Sequence, residues 1–123
     1  MKIAIPRMGE SVAPCFEYCT TMAIYTMTES GSTEQVDFPL MSREPLDRVR
    51  LLREEGVDTV ICGGMQEVYE DLLKASGFQV VSWVSGAVED LLNTFLRGDL
   101  RSGMELPTAH RPDLHALDRM MEH

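Results

Sequence analysis

Three cysteines are the residues of this sequence best suited to chemistry. Cys15 and Cys19 lie four positions apart in one predicted loop, and Cys62 ends a predicted buried strand. Thiolates are soft ligands that bind zinc, copper(I) or iron–sulfur clusters. The odd number of cysteines excludes a complete disulfide framework, and the lack of a fourth excludes a closed four-cysteine site within one chain. The three thiols are therefore predicted as metal ligands, and a histidine from the C-terminal segment could complete a zinc site.

Two glycines and two methionines are expected beside these thiols. Gly63 and Gly64 precede a predicted helix, where free backbone N–H groups could bind a phosphate or the sulfides of a cluster. Met8 and Met65 would line the opening of the site and offer thioether sulfur. The competing interpretations are structural, because tight turns use glycine for its backbone freedom and methionines fill cores.

The cysteines also admit other roles. Cys15 and Cys19 could be unrelated loop residues, and Cys62 could be a small buried hydrophobic residue. Cys15 and Cys19 could instead form a reversible disulfide in a thiol-redox protein, although their spacing exceeds that of a Cys-x-x-Cys motif. A third alternative is a metal-free interaction or regulatory module.

Catalytic arrangements have little support, so we expect that the protein is not an enzyme. All three histidines, His110, His115 and His123, lie in the C-terminal segment. The first strand has no Asp or Glu, which a two-metal nuclease would need there. The glycines match neither the G-x-G-x-x-G pattern nor a P-loop, so nucleotide binding has no motif to support it.

Length and charge restrict the partners. The 123 residues fit one domain. Eleven Lys+Arg against twenty Asp+Glu give a net charge of −9, which disfavours nucleic acid and anionic membranes. No apolar run approaches the ~20 residues of a membrane span, and the N-terminal apolar run is too short for a signal peptide. We therefore expect a cytoplasmic protein with reduced thiols.

The elements that would position these residues follow an α/β pattern. Strands are predicted over 2–6, 22–27 and 34–38, the last two as an antiparallel hairpin. The second half alternates apolar strands with helices, which predicts parallel strands joined by right-handed crossovers. The expected fold is one mixed five-stranded sheet with helices on its faces. The predicted helices cover 44–55, 66–75 and 86–97, and the predicted later strands cover 57–62 and 78–84.

Ligands bind at the carboxyl ends of the parallel strands in sheets of this kind. Three segments leave that edge of the predicted sheet, namely 7–20, 62–64 and 83–86. If the first and fourth strands are neighbours, the three cysteines converge on one opening. Trp83 would then be either a wall of this pocket or a core residue.

Three stretches of the chain resemble one known family. They are MKIAIPRMGESVAPCFEYCTTMAIYTM, LLREEGVDTVICGGMQEVYEDLLKASGFQVV and VSGAVEDLLNTFLRGDL, in this order over roughly residues 1–100. They resemble the dinitrogenase iron–molybdenum cofactor biosynthesis family, which includes the NifX-like proteins and the C-terminal domain of NifB. The resemblance implies a three-layer α/β/α, ribonuclease-H-like domain over 1–100. The remaining 101–123 form a tail, in which leucine spacing predicts a short helix over 113–121.

The resemblance also implies a non-enzymatic protein that binds or carries a metal–sulfur cluster or its precursor. The cluster would be an iron–sulfur, iron–molybdenum or related molybdenum–copper sulfide species. Many relatives have Pro-His-Phe-Gly after the first strand, with the histidine as the expected ligand. Here the stretch is Pro14-Cys15-Phe16-Glu17, so Cys15 replaces that histidine, and Cys19 stands where a small residue is usual. Expected partners are cluster donor and acceptor proteins and a second copy of the chain in a homodimer.

Overall fold

The first strand is the centre of the sheet. The computed structural model describes residues 1–42 and 44–106. In β1 (Lys2–Met8) successive side chains alternate between two faces, and both faces are buried. Ile3 and Ile5 belong to one hydrophobic core, and Ala4 belongs to another. A strand covered on both faces explains why the four residues between Lys2 and Arg7 carry no charge.

The strand order brings the two halves of the chain together at β1. On one side β1 pairs antiparallel with β3 (Thr21–Met27), which pairs antiparallel with β4 (Thr33–Pro39). On the other side β1 pairs parallel with β5 (Thr59–Ile61), which pairs parallel with β6 (Gln79–Val81). The order is β4-β3-β1-β5-β6. The first and fourth predicted strands, which are β1 and β5 in the structure, are thus confirmed as neighbours.

The sheet has six strands in the described part of the chain, rather than the five predicted from the sequence. The additional strand, β2 (Ser11–Val12), pairs antiparallel with Arg7 and Met8 at the end of β1. It lies inside the segment 7–20 that was predicted as a loop. Two residues are too few to show the alternation by which a strand is recognised in a sequence.

Three helices connect and cover the strands of the described residues. They are α1 (Pro45–Glu54), α2 (Glu67–Ala75) and α3 (Val88–Leu96). Their bounds agree with the predicted helices to within two residues. Among the described residues, no helix combines the length and the apolar character that a bilayer span requires.

The two parallel strands are shorter than predicted, for local reasons. Val57 donates its N–H to the Leu52 carbonyl at 3.0 Å, so it still belongs to the end of α1 rather than to β5. Beyond β6, Trp83 has φ +60° and turns the chain out of the extended conformation. A positive φ at a bulky residue is rare, so nothing in the residue type predicts this turn.

Each face of the sheet has its own core. The first contains Val49 and Leu52 of α1 and Leu73 of α2, together with Ala4 and Cys62. The second contains the buried side of α3 and the opposite side chains of β1, β3 and β5, with Ile3, Ile5, Ala23, Ile61 and Leu91 among its members. Both cores are therefore bounded by the sheet that carries the loops of the predicted site.

The segment after α3 returns to the sheet edge. Leu106 donates its N–H to the Ser85 carbonyl at 2.8 Å, and Gly103 donates to the Ser82 carbonyl at 2.9 Å. Residues 101–106 therefore pack on the segment that follows β6. The predicted helix over 113–121 lies outside the described residues, and so do His110, His115 and His123.

Candidate functional site

Three loops meet at the carboxyl ends of the parallel strands. Gly64 donates its N–H to the Pro14 carbonyl, and Phe16 donates to the Gly64 carbonyl, each at 2.8 Å. The two chains thereby form a single parallel β-bridge between Cys15 and Gly64. Trp83 donates its N–H to the Gly63 carbonyl at 2.9 Å. Backbone hydrogen bonds thus join the loop that follows β2, the turn after β5 and the turn after β6 into one rim.

The diglycine allows the close approach of the first loop. A Cβ on Gly63 would lie 2.5 Å from the Ala13 carbonyl oxygen, which is closer than any real Cβ contact. A Cβ on Gly64 would lie 3.1 Å from the Pro14 oxygen and 3.2 Å from the Trp83 ring. The N–H of Gly64 is already bonded to Pro14, whereas the described residues offer the N–H of Gly63 no acceptor. Of the two predicted N–H donors, that of Gly64 is engaged, and that of Gly63 has no acceptor among the described residues but belongs to a buried residue.

Cys15 lies on this rim and is half-buried. Its Sγ donates a hydrogen bond to Oε2 of Glu17 at 3.2 Å. Partial burial and this neighbouring carboxylate raise the pKa of the Cys15 thiol, although the backbone N–H groups of Glu17 and Tyr18 oppose the effect. Cys15 is therefore a thiol at neutral pH, and a metal would have to displace its proton to bind the sulfur.

Glu17 joins the rim to α2, and sequence reasoning missed it. Its side chain is buried, and Oε1 accepts the N–H of Gln66 at 3.0 Å while Oε2 faces Cys15. The positive end of the dipole of α2 favours a carboxylate at that place. The available signal was a carboxylate two residues after a loop cysteine, so that one sulfur and one oxygen donor lie side by side.

Cys19 and Cys62 lie in the hydrophobic core rather than on the rim. Cys19 is 3% exposed and Cys62 is 0% exposed, and both belong to the core beneath α1 and α2. Burial raises the pKa of Cys19 to about 11, although Arg48 opposes the effect. Burial raises the pKa of Cys62 to about 12, with smaller contributions from Glu70 and Glu17. Both residues are neutral thiols at physiological pH.

The predicted methionines also differ in position. Met8 ends β1 and is exposed, whereas Met65 is buried in the core that contains Cys19 and Cys62. Among residues 1–42 and 44–106, no three His, Cys, Asp or Glu side chains lie close enough together to hold a metal ion. The described chain therefore contains no complete protein-only metal site, and the ligand roles of the three cysteines remain predictions.

Trp83 is the most unusual residue of the rim. It has positive φ and yet is 63% exposed, and its ring edge lies over Gly64. Its conformation costs of order 1–3 kcal/mol, and residues of this kind cluster at functional sites. The predicted alternative of a core tryptophan is wrong, because the ring stands at the surface of the rim.

A cavity of about 690 Å³ lies elsewhere, between β3, β4 and the start of α3. Its lining includes Arg7, Tyr25 and Glu89 and contains none of the cysteines. Arg7 pairs there with Asp37 at 2.8 Å. The guanidinium of Arg7 thus contacts β4.

The mixed sheet and the loops at its parallel edge define the class of α/β protein, and comparison with known proteins gives the family. Residues 1–98 match the sequence model of the family described as "Dinitrogenase iron-molybdenum cofactor". The chain belongs to this family. No curated protein matches the chain in sequence.

Solved structures share this fold. The NMR structure of a Thermotoga protein provisionally named NifB has 28% identity and a TM-score of 0.63, with 82% of this chain and 91% of that chain covered. A crystal structure of a Methanocaldococcus jannaschii protein, provisionally named a dinitrogenase, has 23% identity and a TM-score of 0.60, covering 81% and 91%. The apo form of the orange protein from Desulfovibrio gigas has 20% identity and a TM-score of 0.64, covering 82% and 91%. The last two similarities support the fold alone.

Proposed function

We propose that this protein binds and carries a metal–sulfur cluster, or a precursor of one, at the rim formed by the three loops. The cluster is an iron–sulfur or molybdenum-containing species, and it is cargo that passes between a donor and an acceptor protein. Membership of the dinitrogenase iron–molybdenum cofactor family supports this class of ligand. A ribonuclease-H-like, three-layer form of the fold over 1–100, with 101–123 as a tail, is part of the same proposal.

The position of Cys15 carries the proposal. It is the cysteine that solvent reaches, whereas Cys19 and Cys62 are buried. It lies beside the carboxylate of Glu17 and directly against Gly64. A cluster bound there would have a sulfur ligand and an adjacent oxygen ligand within one rim, and Met8 and Trp83 would border it.

The donor set fits cargo better than a permanently held group. One accessible thiolate cannot fill the coordination sites of an iron–sulfur cluster, which proteins usually hold with four. The remaining sites would be filled by the inorganic ligands of the cluster or by a partner protein. Cys19 and Cys62 would add ligands only if the core beneath α1 opened, because ligation requires them to lose both their protons and their apolar surroundings.

The same arrangement favours a carrier over an enzyme. The site offers one thiol and one carboxylate, and partial burial together with the carboxylate of Glu17 raises the pKa of Cys15, so the described residues do not lower the pKa of the thiol as an activated nucleophile requires. Asp58 directly precedes β5, but its carboxylate accepts the N–H of Lys2. It therefore lies at the end of the parallel strands opposite the rim. The proposed chemistry is therefore ligand exchange at the metal, with no bond of a substrate made or broken by the protein.

Anaerobic reconstitution tests the proposal. The purified chain is incubated with iron, sulfide and molybdate, desalted, and examined by visible absorption and elemental analysis. The wild-type protein should be coloured and contain metal in a fixed ratio to protein. Cys15→Ala should lose most of the colour and metal, because the accessible thiolate is gone.

Glu10→Gln is the matched control, since Glu10 is exposed between β1 and β2 and has no donor role in the proposal. It should bind the cluster as the wild-type protein does. A Cys15→Ala variant that retains the wild-type absorption and metal content would contradict the proposal, and so would a colourless wild-type protein.

A further inference from the structure

Arg48 is a buried cation without a counter-charge in the described structure. It lies on α1, and only 3% of its surface is exposed. The ion pairs among the described residues involve four other basic side chains, Arg7, Arg50, Lys74 and Arg97, and none places a carboxylate within 4.0 Å of Arg48. Charged groups in protein interiors are normally paired, because removing them from water is costly. A buried guanidinium without a carboxylate partner would therefore be stabilised by an anion.

The hydrogen bonds of Arg48 leave one edge of its guanidinium incompletely used. Nη1 donates to the Cys19 carbonyl at 2.6 Å and lies 3.0 Å from the Cys19 sulfur. Nη2 donates a longer bond to the Ser42 carbonyl at 3.3 Å, and the buried Nε has no acceptor among the residues that the structure describes. Nε and Nη2 form the edge of the fork that binds oxyanions with two parallel hydrogen bonds.

A cavity adjoins this side chain. It has a volume of about 470 Å³, and Arg48 lines it together with Tyr18, Thr20 and Met41. Two hydroxyl groups are thus available as further donors in a mostly neutral surface. This cavity lies on the side of the 16–20 loop facing α1, whereas the rim of Cys15 lies on the side facing Gly64.

Two carboxylates occur near the cavities at Arg48, and both are engaged elsewhere. Glu17 lines the 470 Å³ cavity, but its oxygens accept hydrogen bonds from Gln66 N–H and from the Cys15 thiol. Asp47 lines an adjoining cavity of about 200 Å³, and it accepts the Ser42 hydroxyl and pairs with Arg50. Neither one neutralises Arg48.

We propose that the cavity beside Arg48 is a binding site for a small inorganic oxyanion of the sulfate, phosphate or molybdate type, held by the Nε and Nη2 edge of the guanidinium. The site borders the rim through Glu17 but does not include Cys15, and it does not depend on the proposed function. With a net charge of −9 the chain repels anions at long range. If an anion binds, the cause is therefore this local site rather than attraction by the overall charge of the protein.

Thermal unfolding of the full chain tests this proposal. The midpoint is measured in sodium chloride and in sodium sulfate, phosphate, molybdate or acetate, with the ionic strength held constant. A ligand of the folded state raises the midpoint with its concentration. We expect at least one of the three inorganic oxyanions to raise it above the chloride value, and to do so more than acetate.

Two variants connect the effect to Arg48. Arg48→Met should abolish the oxyanion-dependent rise, and Arg53→Met, an exposed change on the same helix, should retain it. If Arg48→Met does not fold, Arg48→Lys is used instead. It keeps the charge but loses the two parallel N–H donors, so the oxyanion should raise its unfolding midpoint by less. The Nε–H resonance of Arg48 in the wild-type protein should also shift on titration with the effective anion.

Three results would overturn the proposal. One is a midpoint that none of the inorganic oxyanions raises above the chloride value. Another is a rise of equal size in the wild-type protein and in the folded Arg48 variant. The third is a rise with acetate that equals or exceeds the rise with the inorganic oxyanions.

Discussion

At the scale of single residues, the three cysteines of this chain have different chemistry because they have different surroundings. Cys15 faces a carboxylate on a rim that solvent reaches, whereas Cys19 and Cys62 are surrounded by the side chains of a hydrophobic core. Thiolate is the reactive and metal-binding form, and burial disfavours it. Accessibility rather than residue type therefore distinguishes Cys15, the proposed ligand, from the other two thiols.

Thiol reactivity in the native protein should separate the three. We expect one thiol to react rapidly with an excess of a disulfide reagent such as DTNB, and two to react only after denaturant is added. The rapid reaction should accelerate as the pH rises, because the thiolate fraction of Cys15 increases. Cys15→Ala should remove the rapid phase and Cys62→Ala should leave it, whereas three thiols reacting at one rate would disprove this assignment.

We expect Trp83 to contribute to cluster binding while its backbone conformation lowers the free energy of unfolding. Trp83→Asn replaces a bulky residue of positive φ by one that tolerates this conformation. Because the strain of order 1–3 kcal/mol offsets the packing of an exposed ring, we expect the free energy of unfolding to change by less than about 1 kcal/mol or to rise. Urea denaturation measures this change.

The matched variant is Trp83→Phe, which keeps both an aromatic ring and the unfavourable φ. It should bind the cluster better than Trp83→Asn without being more stable than the wild-type protein. A large loss of stability in Trp83→Asn together with unchanged cluster binding would show that Trp83 is a structural residue.

At the scale of elements, the site depends on how closely three loops approach one another. The bonds from Gly64 to Pro14 and from Phe16 to Gly64 hold the Cys15 segment against the turn that follows β5. Trp83 attaches the turn after β6 to the same diglycine. The rim is thus built from main-chain hydrogen bonds, and a side chain added between the loops should disrupt it.

Gly63→Ala should destabilise the protein. The new Cβ would meet the Ala13 and Pro14 oxygens at 2.5 and 2.9 Å, and both are backbone atoms that cannot rotate away. Overpacking of this kind costs typically about 1–3 kcal/mol. Gly64→Ala should cost less, because its contacts are longer and include the Trp83 ring. Urea denaturation of both variants checks the order, and a neutral Gly63→Ala would contradict the close approach.

The sequence predicts much of this arrangement because it depends on patterns along the chain. Alternating strands and helices predict the parallel half of the sheet, and the helix bounds agree with the structure to within two residues. The convergence of the Cys15 segment with the diglycine follows from the order of the strands. These features are fixed by hydrophobic periodicity and by the ends of elements, both of which are local signals.

Other features depend on contacts between distant parts of the chain. Cys19 is covered and hydrogen bonded by Arg48, which follows 29 positions later, and no local pattern links the two residues. Glu17 reaches Gln66 across 49 positions. The burial of Cys62 depends on which way its strand end faces between two cores. The sequence pattern predicts that the three thiols lie near one another, and it contains no signal that separates them by environment.

At the scale of the whole molecule, the buried thiols connect the folding equilibrium to pH. Cys62 has a pKa of about 12 in the folded protein against an ordinary value of 9.0. The folded state therefore keeps a proton that the unfolded chain releases above pH 9, and the protein must lose stability as the pH rises from that value. The contribution of this thiol is fully present below pH 9 and disappears towards pH 12.

The free energy of unfolding should accordingly fall between pH 9 and pH 11, a range that lies above the ordinary thiol pKa and below the folded value of Cys62. The slope should approach about 1 kcal/mol per pH unit for each fully buried thiol. Cys62→Ala should reduce the slope, whatever the variant loses in stability at neutral pH. Cys15→Ala should change it little, and equal slopes in the two variants would contradict the assigned burial.

The most direct test of the account is the protection of Cys15 by the bound cluster. The wild-type protein is alkylated anaerobically before and after reconstitution, and the extent of modification at each cysteine is measured by mass spectrometry. We predict that Cys15 reacts readily in the apo protein and is protected in proportion to the metal bound, while Cys19 and Cys62 remain unmodified in both states. A fully loaded protein in which Cys15 is alkylated as fast as in the apo protein would contradict the assignment of this residue as the ligand.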